Sequence, residues 1–144
     1  MNDRFKFRAW YYDKDDENDS DNNKMFYDAQ DTYDCLGGNP PLKASSFGDI
    51  IDDELWVVEQ CTGLRDKNGK LIYENDLIKI DDVVEVSEAY ENGIYKIEFC
   101  QSDCEYDLYN TEGNFIYQLT KSMARYMEVI GNIHENVDLL ENEE

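Results

Sequence analysis

Tight-turn signals punctuate this chain: Asp66–Gly69 (DKNG), Asn75–Asp76, Asn92–Gly93 and Thr111–Asn114 (TEGN). Asn and Gly accept the positive φ such turns require, where Lys or Leu would be strained. Short apolar runs lie between and beside them. They are rich in β-branched and aromatic residues and read as strands. These are LWVVEQC (55–61), LIY (71–73), LIKI (77–80), CEYDLYN (104–110), NFIYQLT (114–120) and EVIGNIHEN (128–136). VVEVSEAYENGIYKIEFC (83–100) reads as a hairpin turning at Asn92–Gly93. No repeat and no heptad is present.

The N-terminal RFKFRAWYY alternates. Phe5, Phe7 and Ala9 fall on one face and Arg4, Lys6 and Arg8 on the other, the signature of a half-buried strand. MFYDAQ (25–30) reads as its hairpin partner across a long acidic loop at 13–23. Gly37, Gly38, Pro40 and Pro41 mark 31–54 as irregular. KSMARYM (121–127) carries the best helical signature, and NVDLLENEE could close the chain with one helical turn. The expectation is a mostly β chain with an N-terminal β-hairpin and one short helix, forming a single domain over 1–144.

Charge narrows the partners. Thirteen Lys and Arg stand against thirty-four Asp and Glu, a net −21. The runs 13–23 and 134–144 each carry −5, the latter containing the acidic tail 137–144, which leaves −11 on the rest. Such a chain cannot release counterions from a phosphate backbone, so direct nucleic-acid binding is not expected. An anionic membrane surface is disfavoured as well. No apolar run approaches the roughly eighteen residues of a membrane span, and MNDRFKFRAW contains no apolar leader stretch. A cytoplasmic chain with reduced thiols at Cys35, Cys61, Cys100 and Cys104 is expected.

The candidate sites for chemistry are weak. Asp13, Asp15 and Glu17 have the spacing of a calcium loop, but Asn18, Ser20 and Lys24 stand where such a loop needs Gly, an apolar residue and Glu. Cys100-x3-Cys104 lies within zinc-knuckle spacing, but Cys35 and Cys61 form no second knuckle, so all four read as small hydrophobes. His134, the only histidine, would need a cysteine and an orienting acid beside it for nucleophilic catalysis. No phosphate-binding Gly loop and no hydrolase motif occurs. Neither a metal nor a cofactor is expected. The polar residues Thr62, Lys67, Asn68, Tyr73, Glu74 and Asp76 offer a binding surface around two turns. Gly63 and Gly69 equally suit turn geometry there, with Leu64 and Ile72 in a core and Tyr73 packing. Arg4, Lys6, Arg8 and Trp10 would suit a self-interface that meets another subunit's acids.

Three motifs carry a resemblance. KFRAW (Lys6–Trp10) leads into KMFYD, TGLRDKNGKLIYENDLIKI spans Thr62–Ile80, and EVIGNIHEN (Glu128–Asn136) precedes DLL. In this order they resemble the YopX-type family of small phage and prophage proteins. The resemblance implies a cytosolic, β-rich, barrel-containing protein that self-assembles, with no catalytic residues to carry over. Two departures stand out. Glu74-Asn75-Asp76 replaces the family's Glu-Gly-Asp, and the 13–23 loop is longer. Asn substitutes readily for Gly at positive φ, so the turn should survive. The Asn75–Asp76 entry into a strand is also similar to the opening of SH3-like barrels. The architecture expected is thus a small open barrel, SH3-like or related.

Three functions follow as expectations. The first is a non-catalytic accessory module, with itself or another protein as partner. The second is an acidic nucleic-acid mimic that inhibits a host DNA-binding protein, which requires the acids to line one face. The third is a metal- or Cys-dependent enzyme.

Overall fold

The computed structural model describes residues 3–12, 23–30, 51, 56–80, 93–136 and 138–141. The acidic loop, the Gly37–Pro41 turn, Cys35, the 83–92 arm of the expected hairpin and the last residues of the acidic tail lie outside them. The described chain is mostly β, as its turn spacing predicts. It gathers into two compact units, Met1–Cys61 and Thr62–Glu144, with one strand running through the division.

In the first unit a 3-10 turn, Asp3–Phe5, leads into β1 (Phe7–Tyr11). β1 lies between β2 (Lys24–Tyr27) and the first half of β3 (Trp56–Arg65), antiparallel to both. The expected N-terminal hairpin is therefore present. Ala9 faces Phe26 on one side and Val58 on the other, and these pack with Ala29 and Trp56 as the core of this unit. The rings of Tyr11 and Phe26 lie 5.1 and 5.5 Å from Trp56 in edge and tilted contacts, geometries aromatic quadrupoles favour.

In the second unit β3 continues into β4 (Leu71–Tyr73) through the DKNG turn. A five-stranded antiparallel sheet follows, made of β5 (Asp76–Ile80), β6 (Gly93–Cys100), β7 (Glu105–Asn110), β8 (Phe115–Gln118) and β9 (Glu128–Asn132), in the order β8-β7-β6-β5-β9. Cross-strand pairing sets Ile78 opposite Tyr95 and Ile97 opposite Leu108. These four bury one face of the sheet against Ile72, Met123 and Met127. Burying an aliphatic side chain of this size contributes about 1.5–3 kcal/mol.

The KSMARYM segment forms a single turn, α1 (Lys121–Ala124), capped by the Thr120 hydroxyl, which accepts from Met123 N–H. It stops there because Tyr126 and Met127 bond back only three residues, to Met123 and Ala124. Such i→i−3 bonds tighten and end a helix. α2 (Asp138–Glu141) is the expected closing turn. Among the described residues no helix is long and apolar enough to cross a membrane.

Candidate functional site

The central motif begins with Asp66, which is buried. One carboxylate oxygen, Oδ1, accepts the backbone N–H groups of Asn68 and Lys70, both at 2.9 Å. Gly69, at φ +84°, supplies the left-handed residue of this turn. Oδ2 accepts Val129 N–H at 2.9 Å, and Lys67 N–H donates to Met127 O at the same distance. The DKNG turn is thereby tied to the start of β9. Asn68 reaches the same strand through Glu128 Oε2 at 3.3 Å.

The second turn repeats this use of an aspartate. Asp76, fully buried, accepts Tyr73 N–H on Oδ2 at 2.7 Å and closes the β4–β5 reversal. Asn75 adopts φ +66°, so the substitution for Gly preserves the left-handed position. Its N–H donates to Ile97 O and its carbonyl accepts from Ile133 N–H at 3.0 Å. The C-terminal motif closes on itself. Asn132 Oδ1 accepts His134 and Glu135 N–H at 3.0 and 2.9 Å, and Asn136 Oδ1 accepts Asn132 N–H at 3.2 Å.

These placements correct the expected binding surface. Thr62, Tyr73 and Asp76 are buried: the Thr62 hydroxyl accepts Leu64 N–H and the Asp76 carboxylate accepts Tyr73 N–H, satisfying backbone groups removed from water, while the Tyr73 ring joins the core. Lys67 and Asn68 remain exposed and Glu74 half-buried, all at the two turns. The residues that organise the motif, Asp66 and Asn132, carry no chemical signature in a chain with thirty-four acids.

The expected self-interface is corrected at Arg8. It is buried, and its Nε donates to Glu59 Oε1 at 2.8 Å, within the same unit. Arg8 and Glu59 are direct cross-strand partners in β1 and β3, and the guanidinium lies 6.0 Å from the Tyr27 ring. β1 is a central strand, so both of its edges are paired, and Arg8 has Glu59 opposite it on one side and Tyr27 on the other. Lys6 pairs with Asp3 at 3.2 Å, Arg4 is exposed over Phe5, and Trp10 is half-buried.

Cys61 is a buried free thiol, as a small hydrophobe would be. Cys100 and Cys104 flank the β6–β7 turn. Cys100 Sγ lies 3.4 Å from Ser102 Oγ, and Cys104 Sγ 3.7 Å from Gln101 O. Among the described residues no group of three or more His, Cys, Asp or Glu side chains is placed to hold a metal ion. The described residues include fifteen acids and eleven bases, a net −4. Four of those acids, Glu59, Asp66, Asp76 and Asp107, are buried. Large apolar side chains are exposed on the five-stranded sheet: Phe115 at 55%, Phe99 at 45% and Tyr117 at 43%.

The chain is similar to the crystal structure of protein EF1440 from Enterococcus faecalis, with 24% sequence identity and a TM-score of 0.49 over 94% of this chain and 96% of that one. No curated protein is significantly similar to it. The family model described as YopX protein matches residues 6–141, from the KFRAW strand through the turn that follows β9 and on into α2. That span takes in all three motifs, and the chain belongs to the YopX family.

Proposed function

We propose that this protein is a phage- or prophage-encoded accessory module that works without catalysis in the host cytosol, by assembling with itself or by binding another protein. What supports this reading most is the exposure of Phe99, Phe115 and Tyr117 on the five-stranded sheet. Large aromatics of this kind are enriched where protein surfaces meet. The buried acids of the central motif, Asp66 and Asp76, are engaged in closing turns, which leaves Lys67, Asn68 and Glu74 as its only solvent-facing candidates among the six polar residues. The free thiols at Cys61, Cys100 and Cys104 suit a reducing compartment. Protein is the partner class, since a net −21 repels a phosphate backbone.

Size-exclusion chromatography with light scattering is the test. The expected result is a mass above one chain, or a monomer that captures a defined host protein, with either lost in F115S/Y117S. A strict monomer at all concentrations that is also inert in host lysate sinks the proposal.

A further inference from the structure

Strand β7 carries two acids two residues apart, Glu105 and Asp107, on the face opposite Leu108. Asp107 is only 3% exposed, and its Oδ1 has no hydrogen-bond partner among the described residues. The register sets Asp107 opposite Glu98 on β6 and Gln118 on β8, and Glu105 opposite Cys100. Direct cross-strand partners share a face, so Lys96, Glu98, Cys100 and Tyr109 look onto the same acids, with Asp103 in the adjoining turn. The lysines of this face are already engaged. Lys96 contacts Glu98, and Lys79 on β5 stands opposite Glu128.

A carboxylate taken out of water beside another carboxylate, with no cation of its own, is far costlier than a neutral acid. A half-buried neighbouring acid that keeps its proton resolves this by donating it to the buried carboxylate. We infer that Glu105 keeps its proton in the folded state and donates it to the buried Asp107 carboxylate, and that this proton is a pH-sensitive clasp on β7 within the β6–β7 hairpin.

The electrostatics agree. A hydrogen bond with Asp107, burial, and the charges of Asp107 and Asp103 push the Glu105 carboxyl up to about 7. Burial first, then Glu98, Asp107, Cys100 and Glu105, also raises the Tyr109 hydroxyl above its ordinary value. The folded state of Glu105 therefore binds its proton more tightly than the unfolded chain, whose ordinary value is 4.5. The clasp is fully present below that ordinary value and is lost as pH rises through about 7.

Hydrogen exchange of the full-length protein tests this at pH 6 and pH 8, corrected for the intrinsic rate. Wild type should lose protection about ten-fold across residues 93–110. E105Q, which keeps a donor without a titrating proton, should show no such loss, and the surface control E112Q should behave as wild type. Equal losses in wild type and E105Q overturn the proposal. Carboxyl NMR of the wild type provides a readout independent of any variant: the Glu105 carboxyl should titrate near 7, and its titrating below about 5 overturns the proposal. Calcium that restores protection at pH 8 in wild type but not in E105Q also overturns it, by showing that the cluster takes a cation in place of the proton.

Discussion

Asp66 Oδ2 accepts the Val129 N–H at 2.9 Å across sixty-three residues of chain, while its other oxygen closes the DKNG turn. One buried carboxylate thus holds both a local reversal and the strand that ends the sheet. Bonds from a charged acceptor contribute about 1.5–3 kcal/mol each, and the donors left behind would be only partly rehydrated. D66A should cost about 3–4 kcal/mol in urea unfolding, and D66N roughly half of that. A loss below about 1 kcal/mol for D66A would show that water replaces the carboxylate without penalty.

Gly131 is fixed by a neighbour's side chain. A Cβ there would lie 2.1 Å from Asn136 Oδ1, the atom that accepts Asn132 N–H. G131A should therefore cost about 1–3 kcal/mol by displacing Asn136. Combining it with N136A should be clearly less than additive, because the clash and the lost bond are the same event. Additive melting-point losses in the two variants would refute this coupling.

Arg8 and Glu59 make a buried pair, so truncating one partner leaves the other charged and dry. R8M is expected to destabilise by about 3–5 kcal/mol, and R8M/E59M to recover most of that loss. Neither effect should depend on salt, since the pair is shielded from solvent ions. Chemical denaturation at 0.05 and 0.5 M NaCl checks both points. A strong salt dependence in the wild type would place the pair at the surface.

Asn75 sits at φ +66°, where Gly is strain-free and Ala is not. N75G should stay within about 0.5 kcal/mol of wild type, and N75A should lose about 1 kcal/mol. Thermal melts of the two variants are enough, and equal melting points would remove the backbone argument.

Much of the fold is legible in the chain because turns announce themselves locally. Asn75, Gly69 and Gly113 all adopt positive φ, as their turn positions predict. The TEGN reversal is present too, although the residue that closes it lies just upstream: Asn110 Oδ1 accepts Glu112 and Asn114 N–H at 3.0 and 2.9 Å. Phe7 and Ala9 do share a packed face. Phe5 falls in the preceding turn and is exposed. Arg8 is the instructive failure. Alternation assigns a side chain to a face, but it cannot say that a second strand brings Glu59 opposite. Asp107 escaped for the same reason, since an acid in a strand looks solvated until both neighbouring strands cover it.

The sequence alone determined the short strands, the positions of reversal and the family, because each rests on contiguous residues and their backbone preferences. The tertiary structure decided which polar groups are structural. Asp66, Asp76, Arg8 and Asp107 differ from the many exposed charges only in what lies across from them. Register and burial, which depend on residues distant in the chain, turn the same side-chain chemistry into a turn lock, an ion pair or a buried acceptor.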